Sequence, residues 1–182
     1  MSKFIFLDRD GTIVKDTVYL HKVEDLEFMP RAIDGLRVMQ WKLGARFIIV
    51  TNQAGMAKKL YTKKDFHVFN NEMASRLRNA GILIAKTYFC PHRPDITGEC
   101  ECRKPKPGMV HQAVKDFGLD PSQAIFIGDK DCDIELGQPF GAKTILVTNN
   151  QYEVKAIPSA SAKDLLEASQ IITDWWSKWI TI

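Results

Sequence analysis

Two aspartates stand two positions apart near the start of the chain, directly after a short apolar segment. The segment 4–7 reads Phe-Ile-Phe-Leu, and Asp8, Arg9 and Asp10 follow it before Gly11. Two carboxylates this close repel each other unless a cation or a shared proton relieves the repulsion. Such a pair can hold a hard cation or divide nucleophilic and acid–base work, although an isolated Asp-x-Asp is also common at helix N-caps and solvated turns.

Further polar side chains follow other apolar segments. After the segments 4–7, 46–50 and 124–128 come Asp8, Asp10, Thr51, Asn52, Asp129, Lys130, Asp131 and Asp133. In an open parallel sheet, ligands collect outside the carboxyl ends of the strands, at the point where the strand order reverses. We therefore expect these side chains to form one site, and closely packed carboxylates favour Mg²⁺ over a softer metal.

Segments of strand and helix character alternate along the chain. The fourth apolar segment is 143–147, and helical periodicity covers 31–43, 62–80 and about 108–117, with a fourth helix expected from about Ala162. Strands that are apolar throughout and are separated by helices are typical of a parallel sheet covered on both faces. We therefore predict an α/β fold with a doubly wound, Rossmann-like, mainly parallel sheet, in a single domain over residues 1–182.

The last predicted helix carries Trp175, Trp176 and Trp179. Aromatic side chains bury a large area, so this cluster fits the core or a subunit contact, and a membrane-surface role has little support. The sequence favours the core, and we expect a monomer.

Composition and charge point to neither a nucleic-acid partner nor a membrane. The chain has 182 residues, 45% of them hydrophobic, and its 25 basic and 22 acidic residues give a formal charge of +3. This balance does not indicate a nucleic-acid surface, and no apolar run reaches the roughly 20 residues of a membrane helix. Because Lys3, Asp8 and Arg9 also interrupt any signal-peptide pattern, we expect a cytoplasmic protein.

A second possible metal site lies in the proline-rich stretch 90–107. Cys90 and His92 form a Cys-x-His pair, and Cys100 and Cys102 form a Cys-x-Cys pair. Three thiolates and an imidazole are a tetrahedral ligand set for structural Zn²⁺, which would support this otherwise irregular loop. The alternatives are a chance cluster of reduced cysteines, a disulfide, and a zinc ribbon that binds nucleic acid.

The order of the motifs adds a family resemblance. Asp8-Arg9-Asp10-Gly11-Thr12, Thr51-Asn52-Gln53, Lys104 and Gly128-Asp129-Lys130 with Asp133 resemble the four-motif set of the haloacid dehalogenase superfamily of phosphatases. The resemblance implies that Asp8 is the nucleophile of an aspartyl-phosphate mechanism and that Asp10 is the general acid and base.

The same resemblance assigns the phosphoryl and metal contacts. Thr51 and Lys104 would stabilise the phosphoryl oxygens. Asp8, Asp129 and the backbone carbonyl of Asp10 would bind Mg²⁺. Asp133 is expected to orient the site rather than to bind the metal, and direct ligation remains an alternative.

A narrower resemblance comes from the zinc loop. Cys-Pro-His, followed by Cys-x-Cys-Arg-Lys-Pro-x-Pro-Gly-Met, is similar to the heptose 1,7-bisphosphate 7-phosphatases and to their relatives, the histidinol-phosphate phosphatases. Both groups lack a large cap domain, and no segment here is long enough to form one. The resemblance implies hydrolysis of a small sugar phosphate at C7, in a route to lipopolysaccharide or S-layer glycan precursors. The alternatives are another small phosphoester, such as histidinol phosphate, or a zinc-supported scaffold without activity.

If the heptose interpretation holds, the substrate contacts follow from it. The implied substrate-binding residues are Asp16, Thr17, Val18, Tyr19, Thr51, Asn52, Gln53, Ala54, Arg103, Lys104 and Lys130. Arg103 would recognise the second phosphate, because a guanidinium fits an anionic oxygen pair. A solvated surface arginine is the alternative.

Overall fold

The computed structural model describes residues 3–149 and 151–177. Its sheet has six strands, paired in parallel throughout, in the order β3-β2-β1-β4-β5-β6. The strands are β1 Lys3–Leu7, β2 Ala45–Asn52, β3 Ile84–Cys90, β4 Ile125–Gly128, β5 Lys143–Val147 and β6 Ala160–Ala162. This order is that of a doubly wound, Rossmann-like sheet, and it confirms the predicted fold class.

In the described part of the chain, six α-helices connect or flank the strands. They are α1 Ala32–Arg37, α2 Lys63–Asn79, α3 Pro94–Thr97, α4 Gly108–Phe117, α5 Asp131–Gly137 and α6 Leu165–Ser177. Short 3-10 turns cover Val23–Asp25, Pro121–Gln123 and Gln138–Phe140. The predicted capping box begins α2, because Thr62 and Asp65 exchange side-chain to backbone hydrogen bonds. Among the described residues, the segments between the strands contain these helices and turns and form no second sheet. No cap domain is therefore evident there.

The sheet separates two apolar layers, and β1 contributes to both. Ile5 and Leu7 point into the layer formed with α1, α2 and α6, whereas Phe4 and Phe6 point into the layer formed with α4 and α5. Alternate side chains of a strand face opposite sides, so an entirely apolar strand needs cover on both faces. The helices on both faces provide that cover.

Several elements differ from the sequence prediction, and among those not predicted are α3 and β6. The helix expected over 31–43 is α-helical to Arg37 and then continues as a π-helical turn over Val38–Lys42. The helix expected from about Ala162 begins at Leu165, since Ala160–Ala162 is an edge strand. The sequence prediction also missed β3 and α5. Strand β3 carries exposed Ala85 and Lys86, which hid its strand character, and α5 is only seven residues long.

The aromatic cluster of α6 belongs to the core as far as it is described. Trp176 is 2% exposed, and Trp175 packs against the same apolar layer as a partly buried residue. Trp179 lies outside the described residues. Within 3–149 and 151–177, none of the helices combines the length and the apolar character needed to cross a membrane.

Candidate active site and metal centres

The topology brings the ends of β1 and β4 together. These two strands are neighbours although they are far apart in sequence, and the amide of Asp8 donates to the carbonyl of Ile127 at 2.9 Å. Strand order reverses at this pair, so a crevice opens beyond their carboxyl ends. Asp8 follows β1 and Asp129 follows β4, which places both aspartates in the crevice.

Three buried carboxylates converge there. Asp8, Asp129 and Asp133 are 5%, 2% and 3% exposed, and each has a carboxylate oxygen within 4.8 Å of those of the other two. The Oδ1 of Asp129 is buried and has no hydrogen-bond partner among the described residues. Burial, followed by the charge of Asp8, raises the pKa of Asp129 to about 7. A buried acidic group with an unpartnered oxygen fits a hard divalent cation, and Mg²⁺ prefers such oxygen ligands.

Gly11 allows the chain to turn beside this group. Its φ is +90°, and a Cβ atom at this position would overlap the Oδ2 of Asp129. Asn149 donates to the carbonyl of Gly11 at 3.1 Å and to that same Oδ2 at 2.9 Å. No sequence motif indicated Asn149. This residue holds one oxygen of Asp129, and the other oxygen stays available for a ligand.

Lys104 connects the acidic group to the next strand. Its Nζ donates to Asp8 at 2.7 Å, to Asp133 at 2.6 Å and to the carbonyl of Val50 at 2.7 Å. Burial alone would lower the pKa of Lys104, but the charges of Asp133 and Asp8 outweigh it and raise the pKa. The ammonium therefore remains charged beside Asp8.

Asp10 is held differently from the other acids. Its Oδ1 accepts from Arg9, with Nε at 3.0 Å and Nη2 at 2.9 Å, and its Oδ2 accepts from Gln53 at 2.8 Å and from Thr51 at 3.5 Å. Burial raises the pKa of Asp10, the charge of Arg9 opposes that effect, and the charge of Asp8 adds to it. A carboxyl group with a raised pKa is suited to carry a proton. Asp10 follows the end of β1 and pairs with Val14 in an isolated bridge, so strand alternation does not explain its orientation.

A cavity of about 330 Å³ opens over these groups. The residues singled out from the sequence that line it are Asp8, Asp10, Asp16, Val18, Tyr19, Thr51, Asn52, Gln53, Ala54, Arg103, Lys104, Lys130 and Asp133. Thr17 is exposed and is not among the lining residues. Asp129 lines an adjoining cavity, and Tyr152 contributes to both cavities.

The lining also contains residues that sequence reasoning missed. They are Leu20, Tyr61, Arg93, Cys132 and Tyr152. Arg93 directly follows the proposed zinc ligand His92, so its place in the chain was a usable signal. Tyr152 lies far from every motif, and only the fold brings it to the cavity.

One wall of the cavity is a contact between three loops. The Oδ2 of Asp16 accepts from Lys130 at 3.0 Å and from the hydroxyl of Tyr152 at 3.0 Å. Burial alone would raise the pKa of Asp16, but the Lys130 ammonium outweighs it and lowers the pKa. Asp131 accepts from the amides of Lys155 and Ala156 at 2.7 and 2.6 Å, and so fixes the loop that carries Tyr152.

The cysteine-rich loop also contributes to the cavity lining. Arg103 donates to the carbonyl of His92 at 3.1 Å. Asn52 holds the main chain of Lys104 from both sides, because its amide donates to the Lys104 carbonyl at 3.2 Å and its oxygen accepts from the Lys104 amide at 3.0 Å. The loop and the end of β2 are therefore joined where Lys104 enters the site.

The loop brings its four candidate zinc ligands together. Cys90, His92, Cys100 and Cys102 each offer one ligand atom, all within 4.8 Å of one another. Neighbouring ligand atoms are separated by 3.0–3.8 Å, and the histidine atom involved is Nδ1. A tetrahedron with zinc bond lengths of about 2.0–2.3 Å has edges of roughly 3.3–3.8 Å. All four cysteines of the chain are described, and none forms a disulfide. The ligand set fits zinc in type, and four of these five separations lie in that range, whereas the Cys90 and Cys102 sulfurs are closer, at 3.0 Å.

The sequence is similar to those of known phosphatases. The HAD-hydrolase-like family model matches residues 101–169. A D-glycero-alpha-D-manno-heptose-1,7-bisphosphate 7-phosphatase of Photorhabdus laumondii is 41% identical over 144 residues, which cover 76% of this chain and 78% of that protein. A D-glycero-beta-D-manno-heptose-1,7-bisphosphate 7-phosphatase of Haemophilus influenzae is 40% identical over 147 residues, 79% of this chain and 78% of that protein.

A solved structure supports the fold independently. The D,D-heptose 1,7-bisphosphate phosphatase of B. bronchiseptica, complexed with magnesium and phosphate, superimposes with a TM-score of 0.82 and 23% identity, over 95% of this chain and 99% of that one. At this identity the likeness concerns the fold alone. On the sequence similarity, the chain belongs to the D-glycero-D-manno-heptose-1,7-bisphosphate 7-phosphatase family of HAD-like hydrolases.

Proposed function

We propose that this chain is a Mg²⁺-dependent phosphatase that removes the C7 phosphate of D-glycero-D-manno-heptose 1,7-bisphosphate. The observation that carries the proposal is the meeting of Asp8, Asp10 and Lys104 at one cavity, in a chain about 40% identical to relatives named for this activity. The arrangement supplies a nucleophile, a proton donor and a fixed positive charge, which are the groups that phosphoryl transfer needs.

The proposed reaction has two steps. A carboxylate oxygen of Asp8 attacks phosphorus, the bond from phosphorus to O7 of the sugar breaks, and Asp10 gives its proton to the departing O7. Water then attacks the aspartyl-phosphate, Asp10 takes a proton from that water, and the bond between Asp8 and phosphorus breaks. The products are heptose 1-phosphate and inorganic phosphate, and both aspartates regain their starting protonation.

A positive charge lies directly beside the proposed nucleophile. The Lys104 ammonium donates to Asp8 at 2.7 Å. Thr51 would donate to the phosphoryl oxygens from the end of β2. Asp8, Asp129 and the backbone carbonyl of Asp10 would hold Mg²⁺, with Asp133 bound to Lys104. When bound, the ion would neutralise charge on the phosphoryl group.

The far side of the cavity would receive the rest of the substrate. Arg103 and Arg93 both line it, and they carry the positive charge that the C1 phosphate requires. We assign the C1 phosphate to Arg103. The wall of Asp16, Tyr152 and Lys130 would face the sugar, together with Val18, Tyr19 and Ala54.

The proposed zinc would stabilise the cysteine-rich loop and would take no part in the reaction. The proposed site has four protein ligands, so no position remains for a reacting group. The loop also carries Arg103 and Lys104, and zinc at Cys90, His92, Cys100 and Cys102 would therefore hold both cations at the cavity.

A comparison of substrates tests the proposal. Purified protein with Mg²⁺ should release phosphate from the heptose bisphosphate with a far higher kcat/KM than from histidinol phosphate. Because the relatives are named for both anomers, the α and β bisphosphates should be assayed side by side. Faster turnover of histidinol phosphate would contradict the heptose assignment.

A variant tests the assignment of the second phosphate. Arg103→Ala should raise KM for the heptose 1,7-bisphosphate and leave KM for a heptose 7-phosphate nearly unchanged. An equal rise for both substrates would show that Arg103 acts through the loop instead.

The single-domain, monomeric and cytoplasmic state expected from the sequence remains part of this proposal. Light scattering of the purified protein checks whether it is a monomer.

A further inference from the structure

The side chain of Gln53 has no hydrogen-bonding position left for a substrate. Its Nε2 donates to the Oδ2 of Asp10 at 2.8 Å and to the Oγ1 of Thr51 at 2.9 Å. Its Oε1 accepts from the hydroxyl of Tyr61 at 2.5 Å and from the Nη2 of Arg9 at 3.2 Å. A glutamine amide has two donor hydrogens and two acceptor lone pairs, so these four contacts use all of them. Gln53 is also only 2% exposed.

The direction of the amide is determined by its neighbours. An arginine guanidinium donates hydrogen bonds and cannot accept them, so the atom of Gln53 that faces Arg9 is the oxygen. The Nε2 atom therefore faces Asp10, and Gln53 donates to that carboxylate. The amide direction follows from this chemistry.

Arg9 contacts the other oxygen of Asp10. It is 0% exposed, and its guanidinium lies over the rings of Phe66 and Phe69 at 5.4 and 4.7 Å. Besides its contacts with the Oδ1 of Asp10, its Nη2 donates to the carbonyl of Leu20 at 3.0 Å. Contacts with three separate segments leave the guanidinium little freedom to move.

Each oxygen of Asp10 is consequently held by a different side chain, Oδ1 by Arg9 and Oδ2 by Gln53. We infer that Gln53, supported by Arg9 and Tyr61, is a positioning residue that holds the Asp10 carboxylate for proton transfer, and that it is not a substrate ligand. The inference rests on the proposed function in one respect, which is the role of Asp10 as proton donor. It replaces the substrate contact that the family resemblance implied for Gln53.

Tyr61 contributes to this network through a single hydroxyl group, which a conservative substitution can remove. Its hydroxyl contacts Gln53, and its ring stacks on His21 at a centroid distance of 4.8 Å. Tyr61→Phe removes one oxygen atom and keeps the ring, so the fold should persist. Gln53→Met keeps the length of the side chain and removes all four hydrogen bonds.

Tyr88→Phe is a matched control. Tyr88 is 5% exposed, its hydroxyl donates to Asp116 at 2.6 Å, and it is not among the residues that line the cavity. The substitution removes the same atom from a similarly buried tyrosine elsewhere in the fold. Far-UV circular dichroism and thermal melting of all three variants check that they fold.

The experiment compares the first turnover of two substrates with different leaving groups, measured as the rate at which the first equivalent of leaving group is released, before the aspartyl-phosphate is hydrolysed. The heptose bisphosphate loses an alkoxide that needs a proton, whereas p-nitrophenyl phosphate loses a stable anion. In Tyr61→Phe and Gln53→Met, the first turnover of the heptose substrate should slow by roughly 10- to 50-fold, part of the ~10²- to 10⁴-fold that a positioned proton donor contributes. The first turnover of p-nitrophenyl phosphate should change by less than about three-fold, and KM for the heptose substrate by less than about two-fold. Tyr88→Phe should match the unmodified protein.

Three results would overturn the inference. These are a rise in KM with unchanged first-turnover rate, an equal loss on both substrates, and no loss in either folded variant. Failure of the proposed function is distinguishable from all three. If the unmodified protein releases phosphate from p-nitrophenyl phosphate and not from the heptose bisphosphate, the proposed heptose substrate is wrong, but the role inferred for Gln53 is not contradicted. The same comparison is then made with an alkyl phosphate that the protein does hydrolyse.

Discussion

The Nζ of Lys104 lies 2.7 Å from the Oδ1 of Asp8, although 96 residues separate the two in sequence. The same nitrogen lies 2.6 Å from the Oδ1 of Asp133, so one ammonium is shared by two buried carboxylates. Both members of the first pair are almost completely buried, with side chains 3% and 6% exposed. Such a contact links the positive charge of the cysteine-rich loop to the end of β1, and the proposed nucleophile depends on it.

Replacing Lys104 should damage both activity and stability. In Lys104→Met, two buried carboxylates lose their cation, so the free energy of unfolding of the metal-free protein should fall by about 3–5 kcal/mol. Without this charge beside the phosphoryl group, kcat/KM should fall by roughly 10²- to 10³-fold. Urea unfolding with and without Mg²⁺, together with phosphate-release kinetics, measures both effects.

An exposed lysine provides the control for this substitution. Lys86 contacts Asp116 at 2.5 Å, but its side chain is 45% exposed. Because solvent screens such a pair, Lys86→Met should change the free energy of unfolding by less than about 1 kcal/mol and leave kcat/KM unchanged. Equal losses in the two variants would show that burial of the Lys104 contact does not matter.

Asp8→Asn should abolish turnover while the protein stays folded. An amide nitrogen cannot attack phosphorus in place of the carboxylate, so no phosphoenzyme forms. The substitution weakens the ion pair with Lys104, but it also removes one negative charge from the crowded group with Asp129 and Asp133 and leaves Lys104 its contact with Asp133, so the stability of the metal-free protein should change little. Acid quenching after mixing with ³²P-labelled substrate should trap label on the unmodified protein and none on the variant. Near-normal activity would contradict the assignment of Asp8 as the nucleophile.

The position of the candidate site could be predicted from the sequence because its residues are concentrated in short motifs. Asp8, Thr51 and Asp129 each follow an apolar segment, and parallel strands bring such positions to one edge of a sheet. The second cluster could be predicted for a similar reason, since the types and spacing of its residues are typical of a tetrahedral zinc site. It consists of Cys90, His92, Cys100 and Cys102.

The residues that sequence reasoning missed or placed differently depend on contacts between distant segments. Tyr152 reaches Asp16 across 136 positions, and no local pattern indicates that contact. Gln53 belongs to a recognisable motif, yet its partners Arg9 and Tyr61 determine that it faces Asp10. Periodicity likewise placed the last helix three residues early, because Ala160–Ala162 pairs with β5 as an edge strand.

Removing the proposed zinc should loosen the loop that carries Lys104. A chelator treatment, or the substitution Cys102→Ser, should lower the Tm by roughly 5–10 °C, which corresponds to about 2–3 kcal/mol in a chain of this size. Adding back Mg²⁺ alone should not restore the Tm, whereas Zn²⁺ should restore it in the unsubstituted protein. Because protons compete with the metal for the thiolates, bound zinc should also decrease as the pH is lowered.

Metal analysis gives the control for this prediction. Cys132 is outside the group of four ligands, so Cys132→Ser should retain the zinc content of the unmodified protein. An unchanged Tm after measured loss of zinc would mean that the metal does not support the loop.

Trp176 should be one of the larger single contributors to stability. Its side chain is 2% exposed in the layer between the sheet and α6, and Lys3 lies over its ring at 4.7 Å. Trp176→Ala would leave a large cavity there, so the free energy of unfolding should fall by about 3–5 kcal/mol. Trp41 is 70% exposed and donates to the carbonyl of Gly81 at 3.0 Å, so Trp41→Ala should cost less than about 1 kcal/mol. Denaturant unfolding of both variants measures the difference. A small loss for Trp176→Ala would contradict its place in the core and favour the alternative that the aromatic cluster serves a subunit contact.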